Sequence, residues 1–190
     1  MADRTYFSVL HRLLHWSIAL GIFLALFTAF LHHFWMNSHI VGSSIVSALA
    51  ERNIKMSQDE AYMMARELAS PMFHWHFYAG YVVAGLLVLR IIDFIVYGRK
   101  FISPFSKEAT AKQKLQGWLY ILFYIALFIM LAMGLLLLFG PGQWHDIYDV
   151  IHVWGGYIIG IFVILHFGGL WLGEITDDKG IVSKMVNGGK

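Results

Sequence analysis

Apolar residues fall into four long blocks along the chain, at residues 13–34, 77–97, 118–139 and 150–172. A helix needs about 20 such residues to cross a hydrocarbon layer of about 30 Å, and each block meets that length. None alternates with a period of two, which argues against a transmembrane β-barrel. Trp16, Trp35, Tyr97, Trp118, Trp144 and Trp171 lie towards the ends of the blocks, where aromatic belts meet the membrane–water interface. The pattern predicts an all-α membrane protein, a four-transmembrane-helix bundle forming a single domain over residues 1–190.

The connection between the first two blocks, residues 35–73, is patterned differently. Ser57-Gln58-Asp59-Glu60 reads as a capping box, in which the serine oxygen and the glutamate side chain each satisfy the other's backbone amide. Ala61, Met64, Ala65 and Leu68 then share one helical face. A short helix is expected here, stopped before Pro71, and the run Ile45-Val-Ser-Ala-Leu-Ala-Glu51 suggests another. Such a connection can pack as a lid on the bundle and also offer a surface to a partner.

Charge gives the orientation. Arg4 and Arg12, then Arg99, Lys100, Lys107, Lys112 and Lys114, then Lys179, Lys184 and Lys190 fall on one side. Only Arg52, Lys55 and Arg66 fall on the other. Positive residues stay inside, so both termini are expected in the cytoplasm, with the helical connection 35–73 periplasmic and the chain in the inner (cytoplasmic) membrane. The composition agrees: 58% of residues are hydrophobic and 14% charged, where a soluble domain carries about 25% charged residues. A net charge of +2 with no basic cluster argues against nucleic acid as a partner. The absence of cysteine excludes disulfides, thiolate metal sites, cysteine-ligated iron–sulfur clusters and c-type haem. No cleavable signal peptide is expected, because the first apolar run is full-length and no small-residue cleavage site follows it.

Histidines supply the candidate chemistry. Polar rings within a membrane are costly and usually serve the bundle interior. His152 and His166 are fourteen residues apart, which on a helix is ~21 Å along the axis and roughly 40° short of four turns. They share a face but lie near opposite leaflets, so one ion cannot use both. By depth, His76 at the outer start of the second block pairs with His152. His15 at the inner start of the first block pairs with His166. Paired imidazoles suit the two axial positions of a haem b, whereas zinc would need three or four ligands at one depth. Gly80, Gly155, Gly156 and Gly160 would let a flat macrocycle approach the backbone. Arg12 and Arg90 are placed to meet propionates at the inner layer. The competing roles for Arg90 are snorkelling to headgroups and pairing with Asp93. His11, His32, His33, His39, His74 and His145 are expected to be interfacial or satisfied by neighbours.

These residues resemble the cytochrome b subunit of membrane-bound nickel–iron hydrogenases, within the wider superfamily of four-helix bacterial di-haem cytochromes b. The matching features are Arg12-x-x-His15-Trp16, His76-Phe77-x-Ala79-Gly80 with Arg90 fourteen residues on, His152-x-x-Gly155 with Gly160 and His166, and the tail from Glu174 to Lys190. The resemblance covers roughly residues 10–190. It departs in its short second connection, in its extended first connection, and in Asp149, before the helix-4 ligand, where those subunits often carry a further histidine.

The resemblance implies electron transfer rather than bond-making by side chains. It implies two haem b groups, one on His76 and His152 at the periplasmic side and one on His15 and His166 at the cytoplasmic side. A periplasmic Fe–S redox subunit, that of a Ni/Fe-hydrogenase first of all, would deliver electrons. The outer haem, the inner haem and a quinone would receive them in turn, with His11, Asp93 and Tyr97 as candidate quinone contacts. The chain could also pair with itself in such a complex. Three other readings stand beside this one: a stand-alone di-haem quinone oxidoreductase using a donor such as superoxide, the cytochrome b subunit of another periplasmic dehydrogenase, and a membrane scaffold without redox chemistry.

Overall fold

A computed structural model of the chain describes residues 8–97, 103–176 and 179–188. Arg4, Arg99, Lys100 and Lys190, which enter the charge asymmetry, and Asp177 and Asp178 of the tail lie outside the described residues. The elements are α1 (Val9–Phe30) with a π-helical last turn (Leu31–Trp35), α2 (Ser38–Ala50), α3 (Gln58–Val96), α4 (Ala111–Phe139), a 3₁₀ turn (Gly142–Trp144), α5 (His145–Ile175) and α6 (Ile181–Asn187). No strand occurs among the described residues. Four helical stretches, Val9–Trp35, Gln58–Val96, Ala111–Phe139 and Gly142–Ile175, are long and apolar enough to cross a membrane.

Local signals start the helices. The Asn37 side chain accepts from the His39 amide at 2.9 Å and opens α2. Before α3, Ser57 Oγ accepts from the Glu60 amide at 3.2 Å while Glu60 Oε2 accepts from the Ser57 amide at 3.0 Å, the expected capping box. A second capping box, Thr110 with Gln113, opens α4 ahead of its apolar block.

Two expectations for α3 are corrected. The helix does not stop before Pro71 but runs unbroken through it for 39 residues. Proline removes one backbone donor and crowds the carbonyl four residues back, at a cost of about 3 kcal/mol. Here the flanking segments each hold the helix independently, through the Ser57 cap on one side and a buried apolar stretch on the other. The buried face is also different: Ala61, Ala65 and Ala69 are buried, while Met64 and Leu68 are exposed. Small residues at a four-residue spacing let α2 approach so closely that a Cβ on Gly42 would meet the Ala61 backbone at 3.2 Å.

The residues form two compact units, 17–86 and 1–16 with 87–190. In the first, α1 packs on α3 around Ile18, Ile22, Ala79 and Val83, and a Cβ on Gly21 would stand 2.6 Å from Val83 Cγ2. In the second, α4 packs along α5. Leu127 and Ile159 are fully buried there, Phe123 stacks on Phe162 at 4.2 Å, and Gly155 gives room to Met130.

Candidate functional site

Within the unit of residues 1–16 and 87–190, α1 carries His15 and α5 carries His166. Their ring centroids are 6.1 Å apart and the ring planes are inclined by 50°. Trp16 meets the edge of His15 at 5.5 Å, and Phe162 stacks on His166 at 5.7 Å. Phe162 is itself stacked on Phe123, so aromatic packing from α4 holds the His166 ring in place.

Arg12 lies three residues before His15, Arg90 belongs to α3, and the structure gives both protein partners. Arg12 Nη1 donates to the Val186 carbonyl at 2.5 Å, and Trp16 Nε1 donates to the Met185 carbonyl at 3.2 Å. The helix turn that carries His15 thus caps the C-terminal carbonyls of α6. Arg12 Nε is buried and has no hydrogen-bond partner among the described residues. Arg90 lies 3.7 Å from Asp93 Oδ2, and its two terminal nitrogens lie 2.9 and 3.3 Å from Nδ1 and Nε2 of His11. A neutral imidazole has one lone-pair nitrogen, so only one of those two contacts can be a hydrogen bond.

His152, in the same unit, is oriented by α4. Its Nδ1 lies 2.8 Å from the Met130 carbonyl oxygen. A carbonyl only accepts, so Nδ1 carries the proton and the lone pair sits on Nε2, the tautomer that a metal-binding imidazole needs. A Cβ on Gly134 would stand 2.9 Å from His152 Cε1, so the ring lies directly over that glycine.

His76 belongs to the unit of residues 17–86 and is held in the same way by α1. Its Nδ1 lies 3.0 Å from the Ala25 carbonyl and 3.1 Å from Thr28 Oγ1. The Thr28 hydroxyl donates its own proton to Leu24 at 2.8 Å, or to Ala25 at 3.0 Å, so its oxygen can accept from Nδ1–H. Again the lone pair is left on Nε2. Phe73 stacks on the ring at 5.7 Å.

The remaining histidines have other surroundings. His74 pairs with the Ser70 carbonyl at 2.8 Å, His32 packs on Phe73 and His39 on Tyr62, and His145 is exposed at the start of α5. Among the described residues, no three His, Asp or Glu side chains gather where they could hold a metal ion.

The chain matches the family described as prokaryotic cytochrome b561 over residues 6–188. It belongs to that family. No curated protein and no solved structure matches it. As a prokaryotic cytochrome b561 it is a multi-pass membrane protein of b-type electron transfer, and it binds haem b.

The residues present fit that group. Two metal–imidazole bonds of about 2 Å, with roughly 1 Å more from each ligating nitrogen to its ring centre, put two axial rings about 6 Å apart. His15 and His166 stand at 6.1 Å. The buried Arg12 Nε is an unspent donor beside them, suited to an anionic propionate. The second line of residues, Ala25, Thr28, Met130 and Gly134, was not foreseen from the sequence. A threonine inside the first apolar block and a glycine inside the third were the available signals.

Proposed function

We propose that this cytochrome b561 holds two haem b groups and moves electrons between a periplasmic redox partner and the quinone pool. His15 and His166 would ligate one group near the cytoplasmic face; His76 and His152 would ligate the other near the periplasmic face. The observation that carries this reading is the His15–His166 pair at axial-ligand spacing. The anchoring of Nδ1 on both His76 and His152 supports the second pair, since each presents Nε2 as its ligating nitrogen. A haem b bound between paired imidazoles supplies reversible one-electron transfer without an open coordination position.

The chain's residues bind, orient and insulate. Phe162 and Trp16 pack against the inner imidazoles, and Arg12 Nε and Arg90 offer positive charge to propionates. The charge asymmetry supports cytoplasmic termini and a periplasmic connection 35–73, in which α2 and the first turns of α3 would offer a partner its surface. The hydrogenase-like motifs favour the iron–sulfur subunit of a Ni/Fe-hydrogenase as that partner, in an inner-membrane complex where the chain could also pair with itself.

The test is haem stoichiometry with spectra. The purified chain is expected to hold two haem b per polypeptide with bis-histidyl low-spin bands on dithionite reduction. His166→Ala and His76→Ala should each remove one group and leave the other. Full pigment in both variants would overturn the assignment. Co-purification with an iron–sulfur protein decides between a subunit and a stand-alone oxidoreductase.

A further inference from the structure

Within the unit of residues 17–86, one side of α1 meets the turns of α3 that carry His76. Ala25 and Thr28 hold the His76 ring there. His32 is seven residues after Ala25 and four after Thr28. At about 100° per residue it falls on that same side of the helix. The contacts agree: the His32 ring packs on Phe73 with centroids 4.5 Å apart, and Phe73 stacks on His76 at 5.7 Å. His32 therefore stands one ring away from His76, one turn further along α1 towards the connection 35–73.

His32 Nδ1 is buried and has no hydrogen-bond partner among the described residues. The same nitrogen of His74, His76 and His152 lies against a backbone carbonyl. A buried polar atom left without a partner costs about 1–3 kcal/mol. The turn that carries it is π-helical, Leu31–Trp35, closed by the Met36 amide on the Leu31 carbonyl at 2.7 Å. Such turns are rare and occur mostly at functional sites. His33, the next residue, is exposed, so this turn keeps one imidazole in and one out. A metal ion would need further ligands, and no three His, Asp or Glu side chains gather among the described residues. A lipid phosphate stays at the headgroup level, whereas this nitrogen is covered. What remains is an acceptor that enters the bundle with the cofactor: a carboxylate.

We propose that His32 Nδ1–H donates a hydrogen bond to a propionate carboxylate of the haem held by His76. This rests on the reading of His76 as a haem ligand. His32 is then the outer counterpart of Arg12, with one difference. Arg12 offers a propionate a permanent positive charge, whereas His32 offers a single N–H. Negative charge near an iron opposes its reduction, and hydrogen bonding to that charge relieves the opposition. The His32 donor therefore raises the potential of the group on His76 above the value that a bare carboxylate would give it.

The test is potentiometric titration of the full haem-loaded chain, followed by absorbance. His32→Phe keeps a ring on Phe73 and removes the donor. His32→Asn sets an amide N–H close to the place of Nδ1. In His32→Phe one haem wave is expected to move to lower potential. At a fixed ambient potential its reduced-to-oxidised ratio should fall at least about threefold, with the other wave in place. His32→Asn should return the wave to its original position. Unmoved waves in His32→Phe would overturn the hydrogen bond and leave His76 as a ligand. An equal fall, or an equal loss of haem, in both variants would assign His32 a packing role on Phe73 and also overturn it. Full pigment in His76→Ala would instead remove the reading on which the proposal rests.

Discussion

The imidazole of His152 lies over Gly134, so close that a Cβ there would stand 2.9 Å from Cε1. The fourth apolar block carries the histidine, but the third decides where its ring points, through this glycine and the Met130 carbonyl one turn earlier. Gly134→Ala should therefore be locally favourable for α4, by about 0.5–1 kcal/mol of helix propensity, and still damage the site. The ring must tilt to clear the methyl group and loses its 2.8 Å bond to Met130. If His152 ligates haem as proposed, the variant is expected to fold, to hold less haem, and to change the low-spin electron paramagnetic resonance signal of what remains. Wild-type haem content with an unchanged signal would show that the ring has slack.

Thr28 acts on His76 from α1. Its oxygen is the second acceptor within reach of Nδ1–H, at 3.1 Å, beside the Ala25 carbonyl at 3.0 Å. Acceptors on the outer nitrogen make an imidazole a stronger donor to iron and so favour the oxidised metal. Thr28→Val keeps the shape and removes the acceptor. If His76 ligates haem as proposed, the midpoint potential of that group is expected to rise, with haem content preserved. Thr28→Ser, which retains the hydroxyl, should restore it. Potentiometric titration of the three proteins checks this.

The gross architecture was readable because bilayer thickness acts on every residue of a span at once. Four apolar blocks became four helices of membrane-crossing length, and Ser57 with Glu60 announced the start of α3. The boundaries were less readable, since polar turns continue a helix past its apolar block, as Thr110 and His145 show by opening α4 and α5 early. Of the site, the depth argument paired His15 with His166, and the structure sets their rings 6.1 Å apart. It could not find Met130 or Ala25, because they contribute backbone carbonyls and any side chain has one. Nor could it see that Arg12 spends one nitrogen on α6, a seven-residue helix too short to give a periodic signal.

That use of Arg12 is testable apart from the haem. Arg12 Nη1 and Trp16 Nε1 hold consecutive carbonyls, Val186 and Met185, at the end of α6. Each bond is worth about 1 kcal/mol net, and an isolated helix of this length is not stable in water. Arg12→Ala should release the tail without unfolding the membrane helices. Tryptic cleavage at Lys184 is expected to speed up several-fold, while the thermal midpoint of the remainder stays put. Equal cleavage rates would mean that Trp16 and the Gly180 amide, which donates to Glu174 Oε1 at 2.7 Å, hold α6 without the arginine.

Pro71 sits where α3 passes from its polar first turns into its apolar stretch, five residues before His76. With no amide hydrogen it cannot bond to the Glu67 carbonyl, yet the helix continues. Pro71→Ala restores that donor but also returns conformational freedom to the unfolded chain, which offsets part of the gain. The net expectation is a stabilisation of about 1–2 kcal/mol, read as a higher thermal midpoint. His76 settles whether the proline has a second role. Its ring is already fixed from α1 by Ala25 and Thr28, so the substitution should leave the haem content of the protein unchanged. A more stable protein with less haem would show instead that Pro71, and not α1 alone, sets the direction of the His76 ring.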